Sequence, residues 1–323
     1  FTEEFAPKLG KEAPIELKQL RSLSDLVDGL TVLEFKTLFL KTEEFDQSEY
    51  KHSLHHYYVL KFEEDLDFYR IKSDLELIKE IDLIEPIFIK KTNFTPNDDY
   101  YPDQWAHDNY GQADANYGGN VGIDDADTDT DLAWDITTGD SDIIIAILDT
   151  GVNEHSELQG RLLPGWDYVY NDDNPSDIQG HGTACAGIAA AKGNNNAGIA
   201  GVCWDCSVMP VKVLGDDGYG DDSTIGAAIQ QTASQGVHII SMSLGGGGYN
   251  SYLDNSISYA VDEGTTVFAA SGNDNNGSLS YPAGYSDCIA VGAMSPCNER
   301  KNTSSCDGEG YWGSNYGSDL DFL

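Results

Sequence analysis

One stretch, residues 143–191, constrains this chain more than any other. It opens with I-I-I-A-I-L-D-T-G-V (143–152) and closes with Q-G-H-G-T-A-C-A-G-I-A-A-A (179–191). The first piece is a short apolar run rich in isoleucine, the pattern of a buried strand, and it delivers a carboxylate, Asp149, at its end. The second places His181 between two glycines. Gly180 and Gly182 let the backbone turn sharply and leave the imidazole exposed at a helix start. A lone D-T-G is a weak signal, and a lone histidine is more often structural than chemical. Together, an acid and an imidazole at the mouths of two buried elements are two thirds of a nucleophilic triad.

The pattern from residue 132 onward says what such elements belong to. Residues 143–148 predict a strand and 183–191 the start of a helix. Strands are predicted over 208–214, 237–244, 265–270 and 288–293, and helices over 223–235 and 252–263, ended by Gly236 and Gly264. Short apolar runs alternating with helices of about 12 residues predict an α/β fold, a parallel sheet with helices on both faces in three layers. Ligands of such sheets bind at the carboxyl ends of the strands. Asp149, Ser243 and Asn273 all follow strand ends and can share one cleft.

The N-terminal region differs. Residues 1–50 are weakly patterned, 55–62 read as a strand, 68–81 as a helix and 82–89 as a strand with one proline, which together describe a small α+β domain over 1–92. Residues 93–130 are rich in Gly, Asn, Asp and Pro and read as linker and irregular surface. Residues 131–323 form the larger domain. The histidines of H-S-L-H-H (His52, His55, His56) read as ordinary surface and edge-strand residues.

Charge narrows the partners. The 323 residues carry a net charge of −37, of which −7 falls in residues 1–92 and −30 in 93–323. Such a surface repels nucleic acid and anionic membranes, and no apolar run approaches the ~18 residues of a membrane helix. A solvated acidic shell accounts for most of the carboxylates, and Ca²⁺ ligation by some of them is the sharper reading. All 6 cysteines lie beyond residue 184. Cys203 and Cys206 form C-W-D-C without the second knuckle of a zinc site. Short-loop disulfides 203–206 and 297–306 are the reading, and they imply an oxidising compartment. Cys185, among small residues, reads as a buried free thiol.

The motifs I-L-D-T-G-V, G-H-G-T-A-C-A-G-I, M-P-V-K-V-L-G-D-D-G-Y-G, I-I-S-M-S-L-G-G and A-A-S-G-N resemble those of the subtilisin-like serine proteases (subtilases), in that family's order, over roughly residues 98–323. The resemblance implies a secreted endopeptidase, a monomer acting on polypeptides. Asp149 would orient His181, the general base, and Asn273 would donate to the oxyanion. Gly218, Tyr219 and Gly220 on one side, and Ser243, Leu244 and Gly245 on the other, would pair with substrate as an added strand. Ala270, Ser271 and Gly272 would line the wall of the specificity pocket. The loop 193–202 is similar to the family's calcium loop. By that likeness Ca²⁺ would take the Asn195 side chain, the carbonyls of Gly193, Ala197 and Ile199, Glu157 in place of the usual aspartate, and Gln104. Residues 1–92 resemble the family's inhibitory propeptide, the protein's own partner, with cleavage expected between residues 91 and 103.

The family's nucleophile is a serine in a G-T-S-x-A turn opening a helix, and no such segment occurs in residues 1–323. Ser304, Ser305, Ser314 and Ser318 lie in polar loops without that context. Two expectations follow. In one, the chain is part of a serine endopeptidase zymogen, recorded short of the nucleophile and of the helix behind it, whose absence would leave apolar sheet surface uncovered. In the other, it is a non-catalytic pseudoprotease, or an inhibitor or binding protein of the prodomain type.

Overall fold

The computed structural model describes residues 32–37, 57–62, 72, 83–84, 95–112 and 122–323. The chain divides into two compact units, Phe1–Lys90 and Lys91–Leu323. In the first, β1 (Val32–Thr37) pairs antiparallel with β2 (Tyr58–Phe62), with a register shift between Val32 and Glu34. β2 matches the strand read at 55–62. β1 lies in the stretch that looked unpatterned, because V-L-E-F-K-T is too short to stand out among charged neighbours. The helix read at 68–81, the strand at 82–89 and the three histidines lie outside the described residues, apart from single positions within those spans.

In the second unit, α1 (Thr130–Trp134) precedes β3 (Ile144–Asp149), β4 (Trp166–Asp167) and α2 (His181–Ala190). Then come β5 (Ser207–Lys212), α3 (Asp222–Ala233), β6 (Ile239–Met242), α4 (Ser251–Asp262), β7 (Thr266–Ala270) and β8 (Ile289–Val291). The small hairpin β9 (Met294–Ser295) and β10 (Glu299–Arg300) follows. The main sheet has six strands in the order β4-β5-β3-β6-β7-β8, all parallel. The expected α/β architecture is therefore present, and the strand and helix positions agree with the sequence pattern to within about two residues at most ends.

Local chemistry sets the helix limits. Asp221 caps α3 by accepting from the N–H groups of Ser223 (2.9 Å) and Thr224 (3.0 Å), and Asn250 caps α4 in the same way through Tyr252 (2.9 Å) and Leu253 (3.3 Å). Such caps satisfy N–H groups that the helix itself cannot. Gly236 and Gly264 end the two helices at φ 76° and 91°, a conformation that costs glycine nothing.

Alternation along the strands assigns the two faces. Ala146 and Leu148 of β3 join Ile240, Met242, Val267 and Ala269 in the core under α3 and α4. Ile145 and Ile147 point the other way and pack on Ala186 and Ala190 of α2 with Leu158 and Val208. On that second face burial fails across β6, β7 and β8: Ile239, Ser241, Phe268 and Ile289 are only half-buried and Val291 is 37% exposed. Among the described residues no helix covers this part of the sheet, although α2 presents Ile188 at 61% exposure.

The stretch read as linker is irregular but well packed where it is described. Tyr101 and His107 are buried with Trp134 and Trp204, and the His107–Trp134 and Trp134–Trp204 ring centroids lie 4.9 and 4.7 Å apart. Its aromatic residues carry enough apolar area to hold it down despite the absence of regular structure. The expected disulfides Cys203–Cys206 and Cys297–Cys306 are both formed, and Cys185 and Cys288 are free. Cys185 is half-buried rather than buried, as it lies at the start of the open face.

Two measurements check this division of faces. Ile240→Ala, at a site with no exposed surface, is expected to cost about 2–5 kcal/mol in denaturant unfolding. The chain is expected to enhance the fluorescence of an apolar dye such as ANS, and Phe268→Ser to reduce that enhancement. Dye binding unchanged by the substitution would show that the β6–β8 face is covered.

Candidate active site

Asp149 is the last residue of β3 and has no exposed surface. Its Oδ1 accepts the Thr150 N–H at 2.7 Å and lies 2.7 Å from Nδ1 of His181. His181 is the first residue of α2, with 47% of its side chain exposed. The carboxylate thus fixes the imidazole tautomer that carries its proton on Nδ1, leaving Nε2 as the free acceptor. Among the described residues no side chain hydrogen-bonds Nε2. The two glycines of the motif act differently. Gly180 sits at φ 94°, before the helix. Gly182 lies so close to β3 that a Cβ there would stand 2.2 Å from the Gly151 carbonyl oxygen.

Residues that carried no motif of their own hold this junction. Lys212, 1% exposed, donates to the Thr150 carbonyl at 2.6 Å and pairs with Asp216 at 3.1 Å. Asp177, also buried, reaches both the strand end and the helix start. Burial pushes the Asp177 carboxyl up, but hydrogen bonds from Thr183, Gly180 and Thr150 outweigh that and hold it below the usual carboxylate range. Cys185, one turn along α2, has its Sγ 3.8 Å from His181 Nδ1. Burial, with a smaller contribution from the Asp149 charge, pushes its thiol up to about 11, and a hydrogen bond with Ser243 opposes this.

The segments expected to bind substrate surround the pair. The backbone of Gly218 lies beside the Gln179 amide: a Cβ on Gly218 would be 3.4 Å from its Nε2. Tyr219 is 79% exposed. On the other side, Ser243, with Leu244 and Gly245 directly after it, leaves the end of β6 next to Cys185. Ser243, Ala270, Ser271, Gly272 and Asn273 line a cleft of about 260 Å³ at the carboxyl ends of β6 and β7. Its floor includes Ser241 and Phe268, so the cleft runs on into the uncovered sheet face. Asn273 is exposed, and its side chain makes no hydrogen bond among the described residues. Its loop is held by Asn315, 1% exposed, whose Oδ1 accepts from Asp274 N–H (2.9 Å) and Asn276 N–H (3.3 Å) and whose N–H donates to the Gly272 carbonyl (2.8 Å). Asn315 lies 42 positions beyond Asn273 in an unpatterned loop, and no sequence signal marks it.

The residues expected to hold Ca²⁺ fit that ion in part. Glu157, 5% exposed, meets the loop 193–199: its Oε2 accepts from the Asn195 amide at 2.8 Å, and Gly198 packs against its carboxylate. Among the described residues the carbonyls of Gly193, Ala197 and Ile199 accept no hydrogen bond, whereas that of Gly198 accepts from Tyr100. Gln104 turns toward Ala200: its Oε1 accepts from Ala200 N–H and its Nε2 donates to Ala200 C=O, both at 2.8 Å, and Oε1 keeps a second lone pair. Asp98, 3% exposed and overlooked in the sequence, reaches the loop instead and accepts from Asn194 N–H at 2.7 Å and Asn195 N–H at 3.4 Å. Two buried carboxylates converging on a loop with free carbonyls is a donor set suited to a hard divalent cation.

The fold agrees with the comparisons. The profile of the Subtilase family matches residues 140–321. The chain belongs to the subtilase family, the subtilisin-like serine proteases. It is 38% identical over 215 residues to "Thermophilic serine proteinase" of Bacillus sp. (strain AK1), covering 66% of this chain and 49% of that protein. It is 46% identical over 174 residues to "Thermitase" of Thermoactinomyces vulgaris, covering 54% and 62%. The chain thus spans about half to three fifths of these relatives. Among solved structures it resembles a protease of Pseudoalteromonas arctica PAMC 21717, with a TM-score of 0.59 and 30% identity over 70% of this chain and 71% of that one.

A thiol at about 11 leaves roughly one molecule in 10³ ionised at pH 8. Iodoacetamide at that pH, with both disulfides intact, is therefore expected to leave Cys185 unmodified while it alkylates free cysteine completely. Stoichiometric labelling of Cys185 in the intact mass would contradict the burial and charge around it.

Proposed function

We propose that this chain carries the acid–base half of a secreted serine endopeptidase site, with polypeptides as substrates. The observation that carries this reading is the 2.7 Å contact between fully buried Asp149 and half-exposed His181, with Nε2 open beside the cleft. In this reading Nε2 takes the proton of an attacking hydroxyl and returns it to the leaving amine, while Asp149 stabilises the imidazolium that forms. Asn273, whose side chain makes no hydrogen bond among the described residues, donates to the oxyanion, a contribution whose removal costs about 10²–10³ in rate. Substrate pairs by main chain with residues 218–220 and 243–245, which gives affinity with broad side-chain tolerance. Residues 1–92 act as an inhibitory propeptide. The two disulfides support an extracellular setting, and the chain acts as a monomer.

Ca²⁺ completes the proposal as a structural ion on Asp98, Glu157, Asn195 and the three free carbonyls, where it would neutralise the two buried carboxylates. Asn195 would turn its oxygen toward the ion, since its amide nitrogen now faces Glu157.

A second reading, a non-catalytic pseudoprotease or a prodomain-type binding protein, rests on one observation: among the described residues no serine touches Nε2. The reading frame beyond Leu323 separates the two. An in-frame G-T-S-x-A turn supports the endopeptidase, and an immediate stop codon supports the binding protein.

Two further outcomes are expected of the 323-residue chain. A fluorophosphonate probe, whose phosphorus is attacked by an activated serine hydroxyl with loss of fluoride, should leave every serine unlabelled; labelling of any of them would mean that an unforeseen serine reaches His181. Saturating Ca²⁺ should raise the melting temperature, by about 2.7 kcal/mol of stability at 100 times the dissociation constant. Asp98→Asn with Glu157→Gln should remove that gain, and an equal gain in the double variant would place the ion elsewhere.

A further inference from the structure

Asp177 carries no motif and touches neither Asp149 nor His181, yet it links the elements that bear them. Its Oδ1 accepts from Thr150 Oγ1 at 2.8 Å and from Gly180 N–H at 2.7 Å. Its Oδ2 accepts from Thr183 N–H at 2.9 Å and Thr183 Oγ1 at 2.6 Å. Thr150 is the residue after the acid, and Gly180 and Thr183 bracket the base. Thr150 repeats the link from its own side: its Oγ1 accepts from Gly182 N–H at 3.0 Å, and its N–H donates to the same Asp149 oxygen that meets His181.

We propose that Asp177 is a positioning residue that clamps the end of β3 to the start of α2 and thereby sets the distance between Asp149 and His181. Resting on the acid–base reading of that pair, the proposal adds to it the part that holds the pair in register. An alternative holder would be the backbone alone, but β3 and the start of α2 are separated by 31 residues whose only regular structure is one turn of 3₁₀ helix (Ser156–Leu158) and the two-residue β4. Packing of Gly182 on Gly151 brings the two together without fixing rotation about the contact. Hydrogen bonds accepted by one carboxylate from both sides do fix it, because an ionised carboxylate offers two acceptor oxygens in one plane.

The other charged and titratable groups at the junction are Asp149 on β3, His181 and Cys185 on α2, Lys212 at the end of β5 and Asp216 just after it. None takes the place of Asp177. Lys212 binds the Thr150 carbonyl from the sheet side, and Cys185 stands beyond the imidazole. The lowered carboxyl of Asp177 keeps it an acceptor through the neutral range. Its contribution is present above the unfolded carboxylate value and is lost as pH falls through the lower folded value.

The test is the His181 Nδ1–H resonance of the 323-residue chain labelled with ¹⁵N, assigned by its disappearance in His181→Gln. An imidazole proton held on a carboxylate is shifted downfield and exchanges slowly. In Thr150→Val, which keeps the shape and removes the hydroxyl, the resonance is expected to broaden away or move upfield, with the melting temperature and the remaining amide spectrum unchanged. Thr150→Ser is expected to restore it. Asp177→Asn is expected to lose it, because one amide end would present a donor to the Thr183 N–H. If Thr150→Val fails to fold, Thr183→Val gives the same reading from the helix side. An unchanged resonance in these variants overturns the clamp alone. A wild-type chain without the downfield resonance overturns the acid–base reading and the clamp with it.

Discussion

A carboxylate with no exposed surface ends the central strand of this protein, and the site is built around the need to satisfy it. Burying a charge costs several kcal/mol unless hydrogen bonds and opposite charge offset it. Asp149 takes the Thr150 N–H and the His181 imidazole on one oxygen. Among the described residues the other oxygen is buried without a hydrogen-bond partner, which makes the imidazole contact all the more important. That contact requires the start of α2 to touch the end of β3, and the touch requires a residue without a side chain at 182.

Among the described residues, helices cover the sheet that positions the acid fully on only one face. Under α3 and α4 the alternating residues of β3, β6 and β7 form a continuous core. On the α2 face, the buried cluster among the described residues reaches no further than Ile239 of β6, and the cleft lined by Ser243 and residues 270–273 opens onto the half-buried Ser241 and Phe268. The cleft wall and these sheet residues are therefore one continuous surface.

Where the sequence was legible, the reason is periodicity. Alternation of apolar runs with helices of about three turns needs no partner information, and it located every long strand and helix between residues 143 and 293. The glycines around His181 were legible because each has a local cause, a positive φ or a close approach. β4 was missed because two residues carry no period. Asp98, Asp177 and Asn315 were missed for a different reason: a buried polar residue that accepts backbone N–H groups looks like any other loop residue until the loop is folded. Gln104 is likewise tied by its amide to one backbone position, Ala200, a contact that no spacing along the chain foretells.

By itself the sequence determined the parallel α/β architecture and the two short-loop disulfides, because each depends on spacing along the chain, and it singled out Asp149 and His181, which the structure brings to 2.7 Å. Tertiary structure alone decided which buried carboxylates serve the loop at 193–199, what holds the Asn273 loop, what fastens β3 to α2, and which sheet face no described helix covers. Those depend on hydrogen bonds across dozens of residues, and the energy of such a bond depends on where two distant segments meet rather than on what either one contains.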